Sequence, residues 1–385
     1  MTDDTRRSTG MLSVAFDSEI FVRQQRGGIS RYFAELIGEY TRHEDLGIRA
    51  SLLFSRSSNQ HLRESVPSLT AQMPALRAVP RGVPRMLHLG DAFKDAFVNY
   101  RASSDQGGHG FDWVHATYFR PKRVDVARGQ RLAVTLYDMT PELLGVDMQH
   151  GPHRGKHETL ARADLILSIS QASADQLAAL MPAAASKTVV VPLGVSDVFL
   201  QAAPQEAAVV DFPYLLFVGS RLPYKRFDLL LAALAQLRGH GLDLGLVIAG
   251  EPLSEIEVRQ VAQQLPTDRF AEFTPSDPKL AGLYSHASAF VFPSEMEGFG
   301  LPLLEAMACN CPVIASAIPV FHEVAGAAAH YFEPGNSEHL AEVIVEVLSN
   351  DDARVQLQSL GRQLALQSTW HATALATANA YRAFN

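Results

Sequence analysis

The sequence has few cysteines and no long hydrophobic run, and each scarcity excludes a class of protein. Its 385 residues include two cysteines, Cys309 and Cys311, which lie too close together to favour a disulfide. A disulfide-stabilised secreted domain is therefore excluded, and both thiols are expected to be buried structural groups. No stretch approaches the ~18 consecutive apolar residues of a membrane-spanning helix. Residues 1–10 are polar and lack the apolar centre of a signal peptide, which predicts a disordered N-terminus on a cytoplasmic protein.

Charged residues are also scarce, at 19% of the chain, and the formal net charge is -8. A protein that works mainly by binding nucleic acid usually presents a basic face, so we expect no nucleic-acid partner. Hydrophobic residues make up 47%, which is enough for well-filled cores. The length corresponds to about two domains of typical size.

Short apolar runs alternate with helical patterns through residues 11–200. Predicted strands are Leu12–Phe16, 49–54, 113–115, 132–136, 165–169 and 189–191, with helices that include 84–101 and 172–180. Apolar runs of this length are typical of strands covered on both faces of a parallel sheet. The alternation predicts one α/β domain over residues 11–200.

A second α/β series follows a segment without periodicity at residues 201–213, which we interpret as a linker. Its predicted strands are Tyr214–Val218, 244–249, 290–292 and 313–315, and its predicted helices are 228–237, 303–308, 337–348, 352–366 and 372–384. We assign residues 214–368 to the second domain and 369–385 to a helix that returns to the first. The sequence predicts an α/β protein of two doubly wound, Rossmann-like domains facing a central cleft, with ligands at the strand carboxyl ends.

The strongest local pattern begins at Pro293 and ends at Glu305, where a glycine loop follows a predicted strand and precedes a helix. The glycines allow close backbone approach, and the amides at the helix start can bind phosphate. Gly298, Phe299, Gly300 and Leu301 are therefore candidate donor-binding positions. Glu297 in the loop and Glu305 about one turn into the helix can accept hydrogen bonds from sugar or ribose hydroxyls. A glycine turn before an acidic helix start is the alternative interpretation.

The second pattern is a basic turn directly after the predicted strand Tyr214–Val218. It begins with Gly219 and Ser220 and contains Arg221, Lys225 and a third cation, Arg226. Arginine offers bidentate donors and lysine a point charge, and both suit a diphosphate. Without the carboxylate pattern, the same turn would be interpreted as a surface loop.

Two further patterns lie in the N-terminal half. Gly27 and Gly28 open a predicted helix whose amides could bind a phosphate or sugar, although a tight packing turn is the alternative. Tyr137 and Asp138 follow a predicted strand, where Asp138 is a candidate for binding sugar or acceptor hydroxyls.

The spacing from Glu297 to Glu305 resembles the Glu-x7-Glu motif of family-4 glycosyltransferases, which are retaining enzymes of the GT-B fold. The resemblance implies that Arg221 and Lys225 neutralise the leaving diphosphate, that Glu297 positions the donor sugar and that Glu305 binds the ribose. It implies no metal ion and no cofactor beyond a nucleoside diphosphate sugar, either GDP- or UDP-linked. Asn310 is a departure, because a glycine is common at that position, and asparagine tolerates the left-handed conformation well.

The resemblance extends less closely to the N-terminal half, where the family has a glycine pair at Gly27 and Gly28. Many relatives have a histidine before the aspartate that contacts the sugar, whereas this chain has Tyr137 before Asp138. A phenol still donates a hydrogen bond but does not titrate near neutral pH. These features resemble a mannosyltransferase-like bacterial branch that acts on cell-surface polysaccharides, with a glycan or lipid-linked glycan as acceptor.

Several histidines and one basic stretch are left outside these patterns. His115 either lines the acceptor side or packs as a core histidine. His150, His153 and His157 precede a helix without a glutamate-containing zinc signature. Separately, four cations between apolar residues either dock on anionic lipid at the inner face of the membrane or form a solvated face. These cations are Arg77, Arg81, Arg85 and Lys94.

Two other functions are compatible with the same architecture. A nucleotide-sugar epimerase also uses two facing α/β domains but changes its donor without an acceptor. A non-catalytic partner subunit would retain only nucleotide binding.

Overall fold

The computed structural model describes residues 11–54, 56–71, 73, 110–119, 130–148, 153–201, 210–239 and 241–385. The predicted disordered residues 1–10, the predicted helix 84–101, the basic stretch from Arg77 to Lys94, His150 and most of the predicted linker lie outside the described residues. The chain forms two compact units. Unit 1 draws on Met1–Ile169, Ser173–Val191 and Trp370–Asn385, and unit 2 comprises Ser170–Ala172 and Pro192–Thr369. No helix of the described part is long and apolar enough to cross a membrane.

Unit 1 contains a parallel six-stranded sheet in the order β2-β1-β3-β4-β5-β6. The strands are β1 (Leu12–Phe16), β2 (Ile48–Leu52), β3 (Trp113–Ala116), β4 (Arg131–Leu136), β5 (Leu165–Ser168) and β6 (Thr188–Val190). The helices are α1 (Glu19–Arg23), α2 (Gly28–Arg42), α3 (Gln60–Ser65), α4 (Pro67–Thr70), α5 (Thr140–Leu143), α6 (Lys156–Arg162), α7 (Gln171–Leu180) and α16 (Trp370–Ala383), with 3-10 turns at Glu44–Leu46 and Pro182–Lys187. The strand order reverses between β1 and β3, which opens a crevice at their carboxyl ends.

Helix α2 packs on this sheet through the apolar face that its sequence predicts. Tyr32, Phe33, Leu36 and Ile37 are all nearly inaccessible to solvent. Each such side chain contributes roughly 1.5–3 kcal/mol through the area it removes from water. Arg42 at the last turn is favourably placed for the helix dipole.

The C-terminal helix α16 packs against α2 within unit 1. The Tyr40 hydroxyl donates to the Ala374 carbonyl at 3.2 Å. The Tyr381 ring lies 5.5 Å from the Trp113 ring, centroid to centroid. Trp113 and Tyr381 are completely buried, so α16 supplies part of the unit 1 core.

His115 is a core histidine, so the packed alternative is the one the structure supports. Its ring nitrogens lie 2.6 Å from the Tyr381 hydroxyl and 2.9 Å from the Thr135 hydroxyl. Burial lowers the pKa of His115 to about 3, so the ring is neutral at physiological pH. Both ring nitrogens have polar partners and the ring is buried, so His115 is not available to contact an acceptor substrate.

Unit 2 contains a second parallel six-stranded sheet, in the order β12-β11-β10-β7-β8-β9. Its strands are β7 (Tyr214–Val218), β8 (Gly245–Ala249), β9 (Phe270–Phe273), β10 (Ala289–Phe292), β11 (Val313–Ser316) and β12 (His330–Phe332). Its helices are α8 (Asp197–Leu200), α9 (Phe227–Gly239), α10 (Glu255–Gln264), α11 (Asp277–His286), α12 (Leu301–Ala308), α13 (Pro319–Ala325), α14 (Ser337–Ser349) and α15 (Asp351–Gln367), with 3-10 turns at Pro223–Lys225 and Gly326–Ala328. The chain order reverses between β7 and β10, so the loops after these two strands flank the crevice where Rossmann-like sheets bind ligands.

The segment after α12 confirms two expectations from the sequence. Cys309 and Cys311 are free and buried, and burial raises the pKa of Cys309 to about 12, so the thiol is unreactive. Asn310 between them has φ +55, the left-handed conformation that favours asparagine or glycine.

Candidate active site

The loops that follow β7 and β10 meet in unit 2. The Glu295 amide donates to the Tyr224 carbonyl at 2.9 Å and ties one loop to the other. The Lys225 ammonium forms a hydrogen-bonded ion pair with the Glu297 carboxylate. The structure therefore brings together two predicted site residues that are 72 positions apart in the chain.

The ion pair is largely shielded from solvent. The Lys225 side chain is 18% exposed and the Glu297 side chain is 13% exposed. The ammonium also lies 5.4 Å from the Tyr224 ring centroid and 5.7 Å from that of Phe292. Electrostatic interactions are stronger here than in bulk water, both within the pair and toward an entering anion.

Arg221 is held in a different environment. Its Nε donates to the Glu257 carboxylate, and its Nη2 donates to the Pro252 carbonyl at 2.9 Å. Its Nη1 is buried and has no hydrogen-bond partner among the described residues. The hydrogen bond from Arg221 lowers the pKa of Glu257 to about 2, so the carboxylate is charged and fixes the guanidinium. Arg221 is thus preorganised, with the two N–H groups of Nη1 available for a further acceptor.

Arg226 is a neighbour rather than a third available cation. It forms ion pairs with Glu295 and Asp228. Its φ is +50, which ends the short 3-10 turn and allows α9 to begin. Because both ion pairs neutralise its charge with carboxylates of the protein itself, Arg226 is not assigned to the diphosphate.

The start of α12 presents unpaired backbone donors. The amides of Phe299, Gly300 and Leu301 have no acceptor within the described part of the chain. Gly300 has φ +96, and a Cβ there would lie 2.9 Å from the Phe321 ring, so a glycine is required. Gly298 is half-buried in the same loop. These amides and the helix dipole form a surface that favours an anionic or hydroxyl-rich ligand.

In the loop after β7, the backbone lies close to the backbone after β8. Gly219 has φ +124, and its amide donates to the Ala249 carbonyl at 2.9 Å. A Cβ on Gly250 would lie 2.6 Å from the Gly219 carbonyl oxygen, so the backbones after β7 and β8 are nearly in contact. Ser220 follows, half-buried, at the carboxyl end of β7.

Glu305 lies one turn into α12, as the sequence predicts, but it is 5% exposed. Its Oε2 accepts a hydrogen bond from the Tyr284 hydroxyl at 3.2 Å. A carboxylate this deeply buried needs hydrogen-bond donors, and a ribose diol is a ligand that supplies two.

In unit 1, Gly27 and Gly28 lie at the start of α2. The amides of Gly28 and Ile29 have no acceptor among the residues that the structure describes. A Cβ on Gly28 would meet nothing within 4 Å, so the space before this helix is open. The Ser30 amide donates a hydrogen bond to the Gln24 side-chain oxygen at 3.0 Å, so it is not available to a ligand.

Tyr137 and Asp138 follow β4, and the structure gives them different environments. Tyr137 is 8% exposed, and its buried hydroxyl lies near the Thr135 side chain but makes no well-formed hydrogen bond in the described residues. Burial raises its pKa well above the usual range, so the phenol remains protonated and able to donate. The Asp138 carboxylate accepts the Thr140 amide at 3.0 Å at the start of α5.

Asp17 is a further candidate, to which the sequence assigned no role although Phe16 and Asp17 belong to the resemblance to the bacterial branch. It directly follows β1 at the reversal of strand order, and its Oδ1 accepts the amides of Glu19 and Thr117 and the Thr117 hydroxyl. Its other oxygen, Oδ2, accepts no hydrogen bond from the described residues. Burial raises the pKa of Asp17 to about 6. A single aspartate after a strand is common, and only its position beside Thr117 distinguishes it.

Replacing Asp17 with asparagine should stabilise unit 1 more at neutral pH than at acidic pH. The pKa of Asp17 rises from 3.8 to about 6 on folding, so the folded state retains a proton that the unfolded chain releases between these values. Stability of the natural protein therefore falls as pH rises through that window. We expect the Tm difference, variant minus natural protein, to increase between pH 4 and pH 7. The exposed Asp45→Asn is the control, and an equal pH trend in both variants would contradict the prediction.

A buried charged cluster lies beside Asp138. The Lys156 ammonium is 2.9 Å from Glu142 Oε2 and 2.6 Å from the Asp138 carbonyl oxygen. The Lys156 side chain is only 2% exposed and the Glu142 side chain only 6% exposed. His157 Nε2 lies 3.0 Å from the other Glu142 oxygen. Lys156 thus fixes the backbone that carries Asp138.

Two Rossmann-like units, each with one parallel six-stranded sheet, define the GT-B class of glycosyltransferase fold. HepE of Anabaena, in a crystal structure with UDP-glucose, is similar to this chain with a TM-score of 0.63 and 18% sequence identity. The similarity covers 96% of this chain and 98% of that one. The predicted fold class is confirmed.

The family model described as glycosyl transferases group 1 matches residues 201–364. O-antigen chain mannosyltransferase B of Escherichia coli is 29% identical over 287 residues, which cover 70% of this chain and 75% of that protein. The D-inositol 3-phosphate glycosyltransferase of Mycolicibacterium smegmatis is 30% identical over 307 residues, which cover 72% of this chain and 68% of that protein. The chain belongs to the group 1 glycosyl transferases, and the predicted family resemblance is confirmed.

Proposed function

We propose that this protein transfers a hexose from a GDP- or UDP-linked sugar to a hydroxyl of a glycan or lipid-linked glycan, with retention of anomeric configuration. The observation that carries the proposal is the shielded Lys225–Glu297 pair beside the unpaired amides of Phe299, Gly300 and Leu301. Synthesis of a cell-surface polysaccharide is the proposed context, since one relative is an O-antigen chain mannosyltransferase. Peripheral binding at the inner face of the membrane belongs to the same proposal.

In the proposed reaction, the bond between the anomeric carbon and the diphosphate breaks, and a bond to the acceptor oxygen forms on the same face. The acceptor proton passes to the departing diphosphate. Lys225 and the Nη1 group of Arg221 stabilise the charge that develops on that group. Because the chain supplies these cations, we propose that transfer requires no metal ion and no additional cofactor.

The carboxylates and amides of unit 2 are proposed to bind the rest of the donor. Glu297 accepts hydrogen bonds from sugar hydroxyls once a diphosphate competes for Lys225. The α12 amides bind the sugar or phosphate, and the buried Glu305 binds the ribose. Gly219 and Ser220 line the approach to the diphosphate.

Unit 1 is proposed to bind the acceptor and to contact the transferred sugar. The buried hydroxyl of Tyr137 is a donor, and the second oxygen of Asp17 is an acceptor. Asp138 and the amides at Gly27 and Gly28 add to this polar set. The tyrosine thus offers a hydrogen bond that does not depend on pH near neutrality.

The proposal is tested with purified protein, nucleoside diphosphate sugars and glycan acceptors. A thermal-shift panel of GDP, UDP and their hexose derivatives identifies the donor, because a ligand that binds the folded state raises Tm. Nuclear magnetic resonance of the product then gives the anomeric configuration. Inversion of configuration would contradict the retaining assignment. A changed donor sugar without acceptor would support an epimerase, and binding without turnover would support a non-catalytic subunit.

Replacing Glu305 with glutamine should weaken binding of the nucleoside diphosphate about tenfold. The amide keeps the Tyr284 contact but removes the charge that strengthens a ribose hydrogen bond, a loss of about 1.4 kcal/mol. Calorimetric titration with the preferred nucleotide measures the change. Glu342→Gln replaces an exposed carboxylate of α14 and should leave affinity unchanged. Equal affinities for all three proteins would exclude Glu305 from the nucleotide site.

A further inference from the structure

One cluster of unit 1 combines three side chains whose ligand atoms suit a divalent metal. Glu39, His43 and His371 each offer one such atom, and all three atoms lie within 4.8 Å of one another. In the described part of the chain, this is the one group of three or more histidine, cysteine or acidic side chains so arranged. Glu39 and His43 come from the last turn and end of α2, and His371 comes from the start of α16.

Two of the three distances between ligand atoms fit tetrahedral coordination, and the third, between the two imidazole nitrogens, is within 4.8 Å. Glu39 Oε2 lies 3.1 Å from His371 Nδ1 and 3.5 Å from His43 Nε2. Zinc binds histidine nitrogen and carboxylate oxygen at about 2.0–2.2 Å, and the edges of such a tetrahedron are about 3.3 Å. The two separations bracket that value, so an ion could be bound with small side-chain movements.

The surroundings of the carboxylate also favour this use. Glu39 is 7% exposed, and its other oxygen, Oε1, accepts from Arg42 Nη2 at 2.6 Å. That contact orients the carboxylate and leaves Oε2 to the two imidazoles, as outer contacts do in metal sites. The imidazoles are partly open, with side-chain exposures of 43% for His43 and 44% for His371. An ion can therefore enter, and a water molecule can complete the coordination.

We propose that Glu39, His43 and His371 form a binding site for one divalent transition-metal ion, with Zn²⁺ as the reference ion. The ion would join the end of α2 to the start of α16. Glu39 lies eleven residues after Gly28, which is about 16 Å along the helix, so this site is separate from the amides that open α2. The site is independent of the proposed transfer chemistry and of its metal-free mechanism.

Titration of the full chain with Zn²⁺ after removal of bound metal tests the proposal. Isothermal titration calorimetry should show one equivalent bound, and Zn²⁺ should raise Tm. The double variant His43→Ala, His371→Ala should bind more than about 100-fold more weakly and lose the Tm response, because each alanine removes a ligand and the loss of an outer contact alone costs up to about 100-fold. Mg²⁺ is the control ion, because it prefers oxygen ligands and should leave Tm unchanged.

A matched control is available in unit 2, where His330 pairs with Glu346 at 3.2 Å without a second imidazole. His330→Ala should bind Zn²⁺ like the natural protein. Zn²⁺ affinity that is unchanged in the double variant would assign binding to others of the 14 histidines and overturn the proposal. An unaltered Tm of the natural protein with Zn²⁺ would also overturn it and leave the cluster as hydrogen bonds alone. Glu39→Gln, which retains the shape of the side chain, should weaken binding at least tenfold.

Discussion

Replacing Lys225 with alanine is expected to lower kcat by about 100- to 1000-fold, the usual effect of removing one preorganised group that stabilises transition-state charge. The ammonium is shielded from solvent and contacts Glu297 and two aromatic rings. Its electrostatic interaction with a diphosphate is therefore only weakly screened by water. Without it, the departing diphosphate loses one of its two proposed cationic partners. Steady-state kinetics with the identified donor and acceptor measure the change.

The Lys225 prediction needs a control for stability, because the variant leaves Glu297 without its partner. Arg269→Ala removes a different ion pair of unit 2, which joins Arg269 to Asp243 on the surface. That variant should retain full activity, since surface pairs contribute little. If activity of Lys225→Ala returned on adding Glu297→Ala, the pair would be structural rather than catalytic.

Replacing Lys156 with methionine is expected to lower the free energy of unfolding of unit 1 by about 3–5 kcal/mol. The substitution leaves the buried Glu142 carboxylate without its ammonium partner and the Asp138 carbonyl without its donor. Both tryptophans of the chain, Trp113 and Trp370, are buried in unit 1. Urea unfolding followed by tryptophan fluorescence therefore reports on this unit.

Two further variants separate the buried charge from the lost hydrogen bonds. Lys187→Met removes an ammonium that donates to the Ala161 and Ala163 carbonyls but forms no ion pair within 4.0 Å of a carboxylate in the described part of the chain, and it should cost less. Adding Glu142→Gln to Lys156→Met should restore part of the stability, because no charge is then left unpaired. A double variant no more stable than Lys156→Met would show that the carboxylate charge is unimportant.

The sequence predicted most of the strands because their apolar runs are buried on both faces. β1 and β7 have the predicted bounds, and most other predicted strands differ by one or two residues. β9 and β12 were missed, since they are edge strands of four and three residues with partly exposed side chains. The helix α10 was also missed, although Ser254 and Glu257 form a capping box that marks its start.

The sequence located the site loops but not the pairs within them. The β7 and β10 loops were selected by composition, and only the strand order explains why Lys225 and Glu297 meet. Arg221 was also selected by composition, and the structure adds its hydrogen bond to Glu257, which the sequence did not predict. Asp17 was assigned no role, because its distinguishing neighbour, Thr117, is 100 positions away in the chain.

The return of α16 to unit 1 sets the order in which the chain can fold during synthesis. Unit 2 is almost continuous in sequence, so it can fold as soon as Thr369 has left the ribosome. Most of unit 1 precedes unit 2 in the chain, but its core lacks Trp370 and Tyr381 until the helix that follows unit 2 has emerged. Unit 1 is therefore completed after unit 2, although most of it is synthesised earlier, and until then the side chains that pack on α16 lack their partners.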